Sequence, residues 1–142
     1  MERSSIVGIE GPDTGTRFRA AVEGNDIAAA TALLAEDIVF HSPATFHPFV
    51  GRDTVTRLLS IVAETFEDFR YTDELAGPGM HALIFRAAIG GREIEGLDLL
   101  RFDEQGLIDD FTVMLRPISG LLPFAQAMGE KVQAAGLSTT RA

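Results

Sequence analysis

Three turns divide the second half of this chain into four β-rich segments, with nothing between the segments but the turns. Phe69 to Leu75 is followed by Gly77-Pro78-Gly79, and His81 to Ile89 by Gly90-Gly91. Glu93 to Phe102 runs into Asp103-Glu104-Gln105-Gly106, and Leu107 to Arg116 ends at Pro117. Turns this short join neighbouring antiparallel strands, so the four segments predict a meander. The Gly90-Gly91 pair also sets a register. With it at the centre of a hairpin, Leu83 lies opposite Asp98 and Phe85 opposite Gly96. Asp98 then shares one face with Leu83, Phe85, Ala87 and Leu100.

The first half reads differently. From Thr16, Phe18, Ala21 and Val22 fall on one helical face, and Gly24-Asn25 stops that helix. Asp26 caps a second helix with Ile27, Ala30, Leu33 and Leu34 in phase. Ile38 to Ser42 is a short β-rich run ended by Pro43, and Ala44 to Val50 reads as an ordered loop. Gly51-Arg52-Asp53 opens a third helix with Val55, Leu58, Leu59, Val62 and Phe66 as its stripe. A last helix starts near Ser119, with Pro123 in its first turn and Leu121, Leu122, Ala125, Met128 and Val132 on one side. Helices followed by antiparallel strands predict an α+β domain. The expected form is a cone-shaped, strongly curved, mixed or antiparallel sheet with helices across its concave side, a cystatin-like α+β barrel enclosing an apolar pocket. Residues 16–135 are read as one domain, after a flexible arm over 1–15 and before a tail over 136–142.

The charge balance narrows the function classes. Twelve Lys and Arg against 21 Asp and Glu leave a net charge of −9 in 142 residues. Such a surface repels phosphate backbones, and no basic stripe offsets it, so no nucleic acid partner is expected. No apolar run approaches the roughly 20 residues of a membrane span, the N-terminus lacks the pattern of a secretory signal, and there is no cysteine. A cytoplasmic protein without a membrane partner is expected. Neither a dinucleotide-binding glycine pattern nor a phosphate-binding loop is present, so no cofactor is expected. The three histidines, His41, His47 and His81, have no helical i, i+4 spacing, and no metal is expected.

From Asp98-Leu99-Leu100-Arg101-Phe102 through Asp103-Glu104-Gln105-Gly106-Leu107-Ile108 the chain resembles the ketosteroid isomerases, members of the nuclear transport factor 2-like superfamily with the SnoaL-like polyketide cyclases and limonene epoxide hydrolase. The likeness extends upstream through Gly24-Asn25-Asp26-Ile27, Ile38 to Pro43 and Gly51-Arg52-Asp53, and covers Phe18 to Leu115. Glu67 to Met114 looks still more like an uncharacterised SnoaL-like branch. The resemblance implies an isomerase site, and this chain departs from it. The general-base Asp of that family matches Ser42, the hydrogen-bonding Tyr of its first helix matches Phe18, and supporting tyrosines match Leu34 and Leu59. Its neutral carboxylic acid matches Asp98. Isomerase chemistry has therefore lost its base and its tyrosine, while the scaffold remains.

Asp98 is the candidate catalytic acid, donor or orienting group. An acid on an apolar face is costly unless neutral or paired, so a structural hydrogen bond or ion pair is the alternative to a ligand contact. His81, in phase with Leu83 and Phe85, and His41, on the face opposite Ser42, are the candidate partners; a structural histidine is the alternative for each. Phe18, Phe40, Ser42, Phe46, Leu59, Leu83, Phe85, Leu100, Phe111 and Val113 are the candidate ligand-binding residues, or else they fill a solid core. Ten Phe against one Tyr and no Trp imply an interior with few hydroxyl donors. The expected activity is binding of a small, mostly apolar molecule, with acid–base chemistry of isomerase, cyclase or hydrolase type open. The alternative is a non-catalytic binding or assembly module with a vestigial cavity. Ile84, Leu97, Leu99, Thr112 and Met114 would face outward, which points to a homodimer through the outer sheet face.

Overall fold

A computed structural model describes residues 13–139. The elements run α1 (Thr14–Glu23), α2 (Ile27–Thr31), β1 (Leu34–His41), β2 (Phe49–Val50), α3 (Arg52–Thr65), β3 (Glu67–Gly77), β4 (Met80–Ile89), β5 (Arg92–Phe102), β6 (Ile108–Arg116) and α4 (Ile118–Ala134). The strands form one sheet in the order β2-β1-β6-β5-β4-β3. All neighbours are antiparallel except β1 and β6, which are parallel, so the sheet is mixed. It curves without closing. The expected barrel is open, with β2 and β3 as its edges.

The meander is built on the expected register. β4 pairs with β5 without a break, with Leu83 opposite Asp98 and Phe85 opposite Gly96. Leu83, Phe85, Ala87, Ile94, Leu100, Ile108 and Phe111 are all buried on the inner face. Gly96 has a specific use there. A Cβ at that position would overlap the Phe85 ring, so the missing side chain lets the ring lie across β5.

The helices pack over this face. Phe18 of α1 meets Phe111 edge-on at 5.4 Å, and Phe124 of α4 stacks on Phe66 at 5.0 Å. Gly120 lets α4 approach Ile94, where a Cβ would collide with the Ile94 side chain. Among the described residues, no helix is long and apolar enough to cross a membrane.

Several local expectations are corrected. α2 is five residues long, and β1 begins at Leu34 rather than Ile38. Leu33 and Leu34 keep helical spacing but are taken by the sheet: the Ile108 N–H donates to the Leu33 carbonyl at 2.9 Å, and Leu34 sits beside Ile108. A five-residue helix has too little cooperativity to compete with a strand pairing. The two-residue strand β2, read as loop, is held by the Gly51 N–H donating to Ile38 O at 2.8 Å. α1 begins at Thr14, inside the expected arm; the rest of that arm, residues 1–12, and the end of the tail, 140–142, lie outside the described residues. In α4, Leu122 is exposed, and the buried places go to Gly120, Phe124 and Met128. Pro123 sits in the second turn of α4, because the helix starts at Ile118.

Candidate functional site

Between the inner sheet face and α1, α3 and α4 lies a cavity of about 670 Å³. Its wall is aromatic on most sides. Phe18 and Phe111 form one contact pair, and Phe66, Phe69, Phe85 and Phe124 form a cluster with centroid separations of 4.8–5.8 Å. Ser42, Pro43, Ala44 and Thr45, with Asn25, also line it.

Asp98 is the one carboxyl that the sheet itself contributes to this wall. It is 6% exposed. The Tyr71 hydroxyl donates to its Oδ2 at 2.9 Å, and this is its hydrogen bond among the described residues. Burial drives the Asp98 pKa from 3.8 up to about 7, and the Tyr71 hydrogen bond, which favours the carboxylate, offsets only part of that. Among the described residues, no arginine or lysine is paired with it. Burial, then the Asp98 charge, push the Tyr71 phenol well above its ordinary value, so Tyr71 stays a donor at neutral pH. The pair therefore holds an exchangeable proton near pH 7 in an otherwise greasy space.

Tyr71 is absent from the sequence reading, and the reason is geometric. Counting back from the Gly77↔Met80 end of the β3–β4 hairpin, regular pairing would set Thr72 opposite Phe85 and turn Tyr71 outward. A bulge between Tyr71 and Asp73 shifts the register by one, so Tyr71 pairs with Phe85 instead. A second irregularity between Glu67 and Arg70 follows. The readable signal is the i, i+2 aromatic pair Phe69 and Tyr71, which argues for one shared face. Phe66, Phe69 and Phe124 also line the cavity beyond those expected.

Of the expected lining residues, Phe18, Phe40, Ser42, Leu59, Phe85, Phe111 and Val113 lie in the cavity wall with Asp98. Leu83 and Leu100 face inward but are fully buried in the core and do not line the cavity. Phe46 is 92% exposed. The loop turns at Ser42, whose Oγ accepts from the Ala44 N–H at 2.9 Å, and Phe46 ends outside against His47.

Neither histidine joins Asp98. His81 is buried on the inner face, but its Nε2 lies 2.7 Å from Glu74 Oε2, and Gly15 packs so closely on its ring that a Cβ would overlap it. Glu74 also accepts from Arg19 at 2.8 Å, and the Arg19 guanidinium sits 5.7 Å from the Tyr71 ring centroid. His41 alternates outward from Phe40, with Nε2 3.2 Å from Asp110 Oδ2. Among the described residues, no group of three His, Asp or Glu could hold a metal.

The SnoaL-like domain family model matches residues 16–111. The chain belongs to the SnoaL-like family. An uncharacterised protein with a cystatin-like fold from Silicibacter pomeroyi DSS-3 is 34% identical, with a TM-score of 0.80 over 84% of this chain and 85% of that one. A steroid delta-isomerase from Pseudomonas aeruginosa is also 34% identical, with a TM-score of 0.80 over 90% of this chain and 98% of that one. An NTF2-like protein of unknown function from Mesorhizobium loti shares the fold at 18% identity, with a TM-score of 0.69 over 80% and 100%. None of the curated proteins matches.

The raised pKa of Asp98 has a signed consequence for stability. The folded protein holds this proton more tightly than the unfolded chain. Its penalty is therefore absent below the unfolded pKa of 3.8, grows as pH rises towards about 7, and is constant above. The full penalty is on the order of 4 kcal/mol. Asp98→Asn is expected to be at least as stable as wild type at neutral pH, with the advantage vanishing in acid. Tyr71→Phe, which leaves the carboxylate unbonded, should extend the window upward. Urea unfolding of the three proteins from acid to mildly alkaline pH measures this; an Asp98→Asn protein less stable only near neutrality would show a paired, stabilising carboxylate instead.

Proposed function

We propose that the protein binds a small, mostly apolar molecule in this cavity, with Asp98 and Tyr71 as its polar anchor. The observation that carries the reading is a buried carboxyl, bonded to one phenol and to no cation among the described residues, in an aromatic cavity of about 670 Å³. Such a site rewards apolar shape broadly and one polar group specifically. An acid poised near neutrality could also move a proton within a bound molecule, which is what isomerase- or cyclase-type chemistry asks of it. A cytoplasmic setting, expected from the sequence, goes with this reading. Small apolar compounds that fit the cavity should raise the melting temperature, and Val113→Trp, which fills the space from β6, should abolish the shift. Equal shifts in both proteins would place binding elsewhere.

Binding without catalysis is the second reading, and a specific feature favours it. Moving a proton next to a carbonyl calls for a base as well as a donor at the oxygen, and Ser42 stands where the isomerases carry that base. The other carboxylate of the wall, Glu23, is bonded to Arg19 at 3.0 Å. Likeness to a steroid delta-isomerase therefore argues for the pocket more than for that reaction. An unconjugated ketosteroid is expected to turn over at no more than about a thousandth of the rate of an enzyme with its base intact. Rapid conversion that survives Ser42→Ala would mean that the catalytic groups are misassigned.

We further propose a homodimer through the outer sheet face. Ile84, Leu97 and Leu99 are only half-buried there, and Met114 is 54% exposed, side by side on β4, β5 and β6. Sedimentation at micromolar concentration should give twice the chain mass, and Leu97→Lys with Leu99→Lys should return the monomer. A monomeric wild type at that concentration defeats the proposal.

A further inference from the structure

Among the described residues, no cation of the cavity wall is paired with the Asp98 carboxyl. Four of its lining residues are ionisable: Glu23 on α1, Arg70 and Tyr71 on β3, and Asp98 on β5. Glu23 already has Arg19, and Arg70 donates to the Asp68 backbone oxygen at 3.0 Å on the protein surface. His81 and Glu74 share the inner sheet face but are bonded to each other outside the wall. β4, β6, α3 and α4 contribute no charged side chain to the wall. Among the described residues, the Asp98 carboxyl thus has a phenol as its partner and no cation.

Around it the wall is made of ring faces and edges. By strand register, Asp98 lies between Leu83 and Val113, with Phe85 and His81 diagonal to it on β4 and Phe111 and Leu115 on β6. Phe85 and Phe111 are the two of these diagonals that line the cavity, and Phe18 packs against Phe111. Aromatic faces carry negative potential and attract cations, most strongly where water is excluded. A buried carboxylate and aromatic walls favour the same occupant.

We propose that the cavity takes a lipophilic amine, its ammonium seated against Asp98 and its hydrocarbon body against the phenylalanines. This names the ligand class of the binding reading above and rests on it. The ammonium donates to Asp98 while Tyr71 holds Oδ2, so the carboxylate is bonded on both sides without a change in the fold. A neutral ketone would need the opposite state, a protonated Asp98 acting as donor. The two ligand classes therefore respond to pH with opposite signs.

Two probes of the same skeleton separate them: dimethyl(naphthylethyl)amine and methyl naphthylethyl ketone, titrated by calorimetry against the full chain. The amine is expected to bind at least about tenfold more tightly than the ketone at about pH 8. It should weaken about 30-fold at about pH 5.5, as Asp98, with a free pKa of about 7, takes up its proton. Asp98→Asn should remove the amine's advantage and leave the ketone little changed; if that variant folds poorly, the wild-type pH profile carries the same test. A ketone that binds as tightly as the amine and tightens in acid would overturn the amine assignment and leave the pocket reading standing. Failure of both probes to bind would overturn both.

Discussion

The pairing of β4 with β5 runs unbroken from Ile89↔Arg92 to Met80↔Arg101. Strand side chains alternate, so a slip of one residue along it would turn Asp98 outward and bring Leu97 and Leu99 in. Gly90 and Gly91, both at positive φ, hold the turn that prevents the slip. The helices depend on the same register. α4 reaches the sheet at Ile94 through Gly120, and the Phe85 ring finds its place over Gly96, both of them inner-face positions of β4 and β5.

On that frame, the cavity is a place where packing stops short. A solid core would cover Asp98 with aliphatic side chains and leave its proton no route of exchange. Here Leu83 and Leu100 are fully buried, while the phenylalanines of α1, β4, β6 and α4 line an open volume. Phenylalanine suits that task because its ring is rigid and gains from edge-on and offset contacts with neighbouring rings. The carboxyl then contacts both protein and cavity, and its protonation is coupled to whatever fills the space.

Much of this was legible from the residues in order. The short turns revealed the meander, and the glycine pair revealed which residues face Asp98. The spacing of Phe18 and Phe111 with their neighbours identified part of the wall, Phe18, Phe40, Ser42, Leu59, Phe85, Phe111 and Val113 beside Asp98. What escaped the sequence depends on competition between elements. Leu33 and Leu34 have helical spacing, but β6 offers them a strand partner. Phe46 is as apolar as Phe40, yet it follows a side-chain-capped turn at Ser42 that carries it outside. His81 is correctly inward, but Glu74, one strand away, claims its ring nitrogen. Tyr71 escaped because a bulge leaves no mark in hydrophobic alternation beyond a local change of phase.

That bulge lies on β3, an edge strand, and the location has a consequence for how such a chain can change. An extra residue in β5 would break two ladders at once and reverse the inner face of the sheet's centre. In β3 it disturbs one ladder, and the second irregularity near Asp68 returns the strand to its starting phase. The interval between them, holding Phe69 and Tyr71, behaves as an exchangeable cassette. Single-residue insertions and deletions at its two ends can swap which side chains reach Asp98 while the hairpin that carries Asp98 stays untouched. Descendants of this fold can thus acquire a new partner for an old acid by a change of length rather than of composition.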